Sequence, residues 1–369
     1  MNRVTDQGIW IEADVPLTGT TDWPVPLRLL RAVSEGEFAS LGRVSPRLAS
    51  SLETIRDIYV AWTGLSQIPL SFEVSSDAVA SSGGVSLFFS GGVDSYYSLI
   101  KHRDEVENLI LVHGFDVPSA DAKTFAQAEA QASEGARLFG KRLIVVRTNM
   151  RWERPSDPPL TNLSWECPHV PCGWMMMHGA AMAAVAHALS PNHGKVYIAS
   201  SHSYADLHSW GSHPLLDPLW SSDTVQIVHD SGETRIDKLR AVSQYSDALA
   251  RVRVCIESFG DKNCGVCEKC IRTMLGLRAL GVDRCSAFPD TLTPQLARQQ
   301  TLNSDNVLHW RELLSAGLPP AFHAAVQSAI HSYDAELPPR TGKWKREVKR
   351  WLYAARYAGR ALMSPIERS

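Results

Sequence analysis

Residues Leu87–Ser95 read LFFSGGVDS, an apolar run that breaks into Ser90-Gly91-Gly92-Val93-Asp94-Ser95. The run Val85–Phe89 is continuous and rich in β-formers, the pattern of a strand buried on both faces. Two glycines, an acid and two hydroxyls directly after it describe either a plain connecting turn or a cradle for phosphate. Gly91 and Gly92 tolerate positive φ and let backbone N–H groups approach a ligand. Ser90 and Ser95 add hydroxyl donors. A helix opening at Asp94 would offer its N-terminal N–H groups and the positive end of its dipole. Asp94 suits a phosphate site when a cation such as Mg²⁺ bridges the two. The chain has no Walker A loop of the form GxxxxGK[ST], and no GxGxxG fingerprint follows this strand.

Working outward from the loop, a regular alternation appears. Asp94–His102 is predicted as a helix and Asn108–His113 (NLILVH) as a second buried strand. Ala122–Phe139 reads as a long amphipathic helix ending at Gly140, the place of a C-cap glycine. Arg142–Arg147 is a third strand, Gly173–Leu189 a buried helix of small residues and Met, and Lys195–Ser200 a further strand. Strands alternating with helices of this length build βαβ units, so the expected fold class is α/β with a mostly parallel sheet flanked by helices. In such sheets ligands sit beyond the carboxyl ends of the strands, where the SGGVDS stretch falls.

The flanks read differently. Residues 1–82 mix short β-like pieces (Ile9–Ile11) with a helix around Leu48–Thr63. They end in the flexible seam Ser81-Ser82-Gly83-Gly84, so an accessory N-terminal domain is expected there. A central domain is expected over 83–285. Residues 286–369 look helical and more polar, broken at Pro319-Pro320 and Pro338-Pro339.

A chain of 369 residues, 44% hydrophobic and 21% charged, lies in the normal range for a globular protein of two to three domains. Its formal net charge of −2 does not by itself call for a nucleic acid or a membrane as partner. The opening Met1–Gly8 is polar and no apolar h-region follows, so no secretory signal is expected. The 7 cysteines are clustered rather than spread as a disulfide framework. A cytoplasmic location is the expectation.

Cys264, Cys267 and Cys270 form two consecutive CxxC steps in NCGVCEKCIR, and Cys255 supplies a fourth sulfur. Four thiolates satisfy tetrahedral Zn²⁺ in a closed structural site. Gly265 allows the tight turn, and Lys269 and Arg272 offset the negative charge. An iron–sulfur cluster and unrelated core cysteines are the other readings.

The Ser90–Ser95 stretch resembles the PP-loop of the N-type ATP pyrophosphatases, a superfamily that includes GMP, NAD and asparagine synthetases and the tRNA thiolases. The order of this loop and the Cys-x8-Cys-x2-Cys-x2-Cys pattern, followed by Arg272, is most similar to 7-cyano-7-deazaguanine synthase. The similarity covers about Val85–Gly281. It implies an adenine nucleotide alpha hydrolase-like fold and a ligase that uses ATP with Mg²⁺. A substrate oxygen attacks the α-phosphorus, and a nitrogen nucleophile then displaces AMP. Carried over residue by residue, Ser90, Gly91, Gly92, Asp94 and Ser95 would hold ATP, with Asp94 and Ser95 in catalysis. Phe115, in Phe115-Asp116 after the second strand, would lie near adenine. Lys238, in TRIDKLRAV, would neutralise phosphate charge, its plain reading being a solvated helix residue. Cys255, Cys264, Cys267 and Cys270 would bind a structural zinc. The chain departs from that enzyme by the segments before and after the central block, and by NLSWECPHVPCGW (Asn162–Trp174) and HSYADLHSWGSHPLLD (His202–Asp217), where substrate choice is expected to differ.

Several features stay open at this level. Cys167 and Cys172, with His169 between them, read either as a rigid substrate lid or as a second metal site. His202, His208 and His213 gather in one loop, for substrate contact or for loop hydrogen bonding. A glutaminase nucleophile would follow Met1, but position 2 is Asn2, so ammonia is expected from solution or a partner protein. The expected substrate is a small-molecule or protein carboxylate, and the chain is expected to be a homo-oligomer. Arg340–Ser369 carries nine basic residues against Glu347 and Glu367, interleaved with Trp344, Trp351, Tyr353 and Tyr357. Such a tail fits an acidic partner, a nucleic acid or a membrane surface, or docks its aromatics on the body. A tRNA-modifying relative and a non-catalytic nucleotide-binding adaptor are the alternative functions.

Overall fold

The computed structural model describes residues 1–17, 20–75, 83–151, 173–230, 232–258 and 262–336. Cys167, His169 and Cys172 and the basic tail Arg340–Ser369 lie outside the described residues. The strands are β1 (Asn2–Asp6), β2 (Ile9–Ala13), β3 (Ala39–Val44), β4 (Leu70–Val74), β5 (Val85–Phe88), β6 (Asn108–His113), β7 (Arg142–Thr148), β8 (Lys195–Ala199) and β9 (Gln226–Asp230). The helices are α1 (Val25–Glu35), α2 (Pro46–Ala49), α3 (Leu52–Thr63), α4 (Val93–Lys101), α5 (Ala122–Leu138), α6 (Trp174–Ala188), α7 (Arg235–Ser243), α8 (Ser246–Leu249), α9 (Glu268–Ala279), α10 (Pro294–Arg298), α11 (Val307–Leu314) and α12 (Pro320–Glu336).

The fold is α/β, with a mostly parallel central sheet flanked by helices. Its strand order is β1-β2-β7-β6-β5-β8-β9. The block β7-β6-β5-β8-β9 is parallel throughout. The β1–β2 hairpin adds to it antiparallel, β2 lying along β7. From β5 the chain steps outward through β6 and β7, then returns to place β8 on the other side of β5. The order therefore reverses between β5 and β8, and at such a point the loops diverge and leave a crevice beyond the carboxyl ends. A second, two-stranded parallel sheet pairs β3 with β4.

Alternation along the strands sends side chains to two cores, one on each face. Leu87, Phe89, Leu109 and Leu111 join a core that also holds Phe125, Leu239, Leu275 and Trp310. Phe88, Ile110, Ile144, Val146 and Ile198 join the opposite core with Leu29, Leu41, Ile55 and the alanines of α6. Residues 1–75, read from sequence as an accessory piece, thus share a core with one face of the sheet, and α11 and α12 share the other.

α6 carries Ala180, Ala181, Ala183, Ala184, Ala186 and Ala188, all fully buried. The small side chains allow close approach. A Cβ placed on Gly179 would stand 2.0 Å from the Gly211 carbonyl oxygen. No helix among the described residues is long and apolar enough to cross a membrane. His193, fully buried, ties α6 to β5: its Nε2–H donates to Ala186 O at 2.9 Å and its Nδ1 accepts from Ser86 Oγ at 2.9 Å. Burial, only partly opposed by the bond to Ala186, pushes its pKa down to about 4.

Two consequences are measurable. Gly179→Ala must push apart the 179 and 211 backbones and is expected to destabilise by about 1–3 kcal/mol in urea unfolding, with the m-value unchanged. The folded state keeps His193 neutral, whereas the unfolded chain protonates it near pH 6.5. Its contribution to stability is therefore complete above about pH 6.5 and is lost as pH falls toward 4. His193→Gln should flatten the stability–pH curve across that window, and an unchanged slope would contradict this assignment.

Candidate functional site

The Ser90–Ser95 loop leaves the carboxyl end of β5 at the strand reversal. Gly91 adopts φ +76°, a left-handed conformation that a side chain would resist. Gly92 is the N-cap of α4 and supplies no capping side chain. The first N–H groups of α4 have no side-chain cap, as in most of the described helices, and N–H groups of this kind can receive an anion. Ser90 is exposed, and Ser95 is buried with Oγ donating to Gly92 O at 3.1 Å.

Asp94, in the first turn of α4, meets two cations from α7. Arg235 Nη1 lies 2.5 Å from its Oδ2 and Lys238 Nζ lies 3.2 Å from its Oδ1. Burial raises the Asp94 carboxyl, but the charges and hydrogen bonds of Arg235 and Lys238 outweigh it and hold the group well below the usual carboxylate range. Lys238 is 1% exposed and also donates to Ser200 O at the end of β8, at 2.5 Å. The plain reading of Lys238 as a solvated residue is thereby corrected: at its place on α7, one turn after Arg235, it faces inward.

α7 is held in place at both its first turn and its flank. Thr234 accepts the Asp237 N–H, and the Glu312 carboxylate of α11 accepts the N–H groups of Arg235 and Ile236 at 3.2 and 2.7 Å. Behind α7, buried Arg272 lies 3.3 Å from Glu268 Oε1, which also accepts from Trp310 Nε1 at 2.7 Å. The Arg272 and Arg235 charges, after burial itself, push the His309 imidazole well below its ordinary value. Arg235, Lys238 and Arg272 thus gather beside the loop together with the carboxylates Asp94, Glu268 and Glu312.

Phe115 follows β6 and is 9% exposed. Its ring packs edge-on against Trp174 at 5.0 Å, and its carbonyl accepts from Arg151 Nη1.

Cys255, Cys264, Cys267 and Cys270 come together with their Sγ atoms all within 4.8 Å of one another. The 264–270 and 255–267 pairs stand 3.9 and 4.0 Å apart. A tetrahedral ion with Zn–S bonds of about 2.3 Å needs sulfurs about 3.8 Å apart, so the set suits a metal. Backbone N–H groups point at the sulfurs: Ser258 toward Cys255 Sγ at 3.4 Å, and Val266 and Cys267 toward Cys264 Sγ at 3.4 and 3.2 Å. Such donors stabilise thiolate over thiol.

The cysteine group and the loop are joined through one short segment. Asn263, beside Cys264, accepts the N–H groups of Val254 and Cys255 through Oδ1 at 2.8 and 3.1 Å. Its Nδ2 donates to Val252 O and Ala287 O at 2.7 and 2.8 Å. Between them, Arg253 N–H donates to Gly91 O at 2.8 Å and Arg253 Nη2 to Ser90 O at 2.9 Å. The carbonyls of the loop are thus turned toward Arg253.

The structure brings Ser90, Gly91, Gly92, Asp94, Ser95 and Lys238 to one end of the sheet and the four cysteines into one group. It also brings His202, His208 and His213 to a common cavity. Sequence reading missed Arg235, Arg253 and Asn263. Only Arg235 left a signal, since it stands three residues before Lys238 on a capped helix and so shares its face. No family model, curated protein or solved structure matches this chain.

Disruption of the cysteine group should be felt at the loop. With Cys264→Ser, or after chelation, amide hydrogen exchange over residues 90–96 is expected to rise by about tenfold or more, while β6 and β7 stay protected. Unchanged exchange at 90–96 would show that the loop is ordered independently of the cysteines.

Proposed function

We propose that the chain is an ATP-dependent, AMP- and pyrophosphate-forming ligase that adenylates a carboxylate or amide oxygen for attack by a nitrogen nucleophile. The observation that carries this reading is a convergence at the carboxyl end of β5: a glycine turn, a helix start without a side-chain cap, and two cations held on one carboxylate. The resemblance to the PP-loop ATP pyrophosphatases, and to 7-cyano-7-deazaguanine synthase among them, gives that convergence its chemistry.

In this reading the N–H groups of the Ser90–Ser95 loop and of the first turn of α4 hold the pyrophosphate portion of ATP. Adenine lies at the end of β6 against Phe115. Asp94 keeps Arg235 and Lys238 in place before ATP arrives. With ATP bound, Arg235 and Lys238 would neutralise phosphate charge, and Asp94 would be the residue to hold Mg²⁺, which would supply further charge neutralisation. The substrate oxygen bonds to the α-phosphorus as the bond to pyrophosphate breaks, and the assembled positive charge stabilises the leaving group. The nitrogen nucleophile then bonds to the activated carbon and AMP leaves. Zinc is the ion proposed for the cysteine group. Four thiolates leave it no open position, so it supplies folding rather than a reaction step.

The test begins with nucleotide. Mg²⁺-dependent ATP binding is expected for the intact chain, weakened by about tenfold or more in Asp94→Ala and in Lys238→Met. Pyrophosphate release from α-labelled ATP should then follow addition of an acid from a panel that includes 7-carboxy-7-deazaguanine, with ammonium present. A chain that binds no ATP would falsify the ligase reading. Release with a different acid would keep the chemistry and replace the substrate.

A further inference from the structure

Arg272 stands on α9 two positions after Cys270, so the cysteine group fixes the turn that carries it. The residue is 6% exposed. A guanidinium keeps its charge in proteins and brings five N–H donors. None of them makes a hydrogen bond among the described residues, and Nε is shut off from solvent as well. Its one ion-pair partner, Glu268 Oε1 at 3.3 Å, already accepts from Trp310 Nε1. The other carboxylates nearby are committed elsewhere. Asp94 receives Arg235 on one oxygen and Lys238 on the other. Glu312 receives the Arg235 and Ile236 N–H groups, likewise one on each oxygen.

The place of this side chain follows from the packing of two helices. A Cβ on Gly276 would stand 2.7 Å from Leu239 Cδ2, so α9 lies close against α7. One turn earlier on each helix stand Arg272 and Arg235, near enough for the Arg235 charge to oppose that of Arg272. The Arg272 charge also reaches His202 after β8 and His309 on α11, and Asp94 acts on it from α4. The guanidinium therefore belongs to the crevice beside the Ser90–Ser95 loop.

His309 shares that space. Its ring is half-buried, makes no hydrogen bond among the described residues, and lies parallel to the His202 ring with centroids 5.7 Å apart. Burial, followed by the charges of Arg272 and Arg235, keeps it neutral. A neutral imidazole carries one N–H, whichever nitrogen holds it. Buried donors without partners and a buried charge without a well-placed counter-ion are costly. The guest that satisfies both must bring acceptors and a negative charge. A carboxylate fits the planar fork of Arg272 with its two oxygens. Its remaining lone pairs can take the His309 N–H.

We infer that Arg272 and His309 form the receptor for the carboxylate of the acid substrate. That the bound acid is the substrate rests on the ligase reading, which gives the loop, Arg235 and Lys238 to the phosphates and leaves the acid without a place. Binding of a carboxylate does not depend on that reading. The receptor makes α11, which lies beyond the region of resemblance, part of the site.

The full chain is titrated with sodium acetate at constant ionic strength, and the Arg272 Nε–H and His309 ring signals are followed in ¹H–¹⁵N correlation spectra. Saturable shifts are expected that sodium chloride does not reproduce, and that persist once inorganic pyrophosphate has saturated the shifts of residues 90–95. Arg272→Lys keeps a charge but loses the fork, and His309→Leu loses the N–H. Each should weaken acetate binding by about tenfold or more. The intact chain and His309→Leu decide the outcome even where Arg272→Lys does not fold. No saturable shift in the intact chain, or unchanged affinity in the variants, overturns the receptor. Displacement of acetate by pyrophosphate assigns the place to phosphate and overturns it too. Acetate binding at Arg272 by a chain that fails to bind ATP would keep the receptor and remove the ligase reading alone.

Discussion

A lysine ammonium that is 1% exposed must be paired or it destabilises the fold, and the pairing of Lys238 organises this end of the molecule. Its two partners come from separate elements: Asp94 from the first turn of α4 and Ser200 from the end of β8. Satisfying one ammonium therefore draws the loop after β5, the end of β8 and helix α7 to a common point. Arg235 strengthens the arrangement from the same helix face, and Glu312 anchors the start of α7 from α11. The reversal of strand order between β5 and β8 opens the crevice, and this ion cluster determines what faces it.

The cysteine group acts on the same place from the other side. Its sulfurs and Asn263 set the path of residues 252–255, and Arg253 on that path bonds to the carbonyls of Ser90 and Gly91. The carbonyls of Ser90 and Gly91 are thereby engaged by Arg253, and no side chain caps the start of α4. The cysteine group is thus coupled, through one arginine, to the loop at the carboxyl end of β5.

Much of the frame was legible in the sequence because its causes are local. β6 and the start of β7 appear where the apolar runs stand, and α5 follows its amphipathic period between Asp121 and Gly140. One departure is instructive. The helix expected over Leu48–Thr63 is two, α2 and α3, separated at Ser50-Ser51. The serines compete for backbone hydrogen bonds, an effect that hydrophobic period does not register. The expectation of separate flanking pieces rested on composition and a glycine seam. Composition does not show which surfaces bury one another, and here residues 1–75 and the helices after 286 complete the two cores of the sheet.

By itself the sequence determined the α/β class, the loop residues Ser90–Ser95 and the set of four cysteines, because strand period, glycine turns and ligand spacing are properties of neighbours along the chain. Tertiary structure alone decided that Lys238 is buried on Asp94, that Arg253 links the cysteines to the loop, and that Asp217 lies 2.7 Å from His229 Nδ1. Asp94 and Lys238 are separated by 144 positions, and Arg253 and Ser90 by 163. Charge pairing and hydrogen bonding depend on distances of about 3 Å in space, which no spacing along the chain specifies.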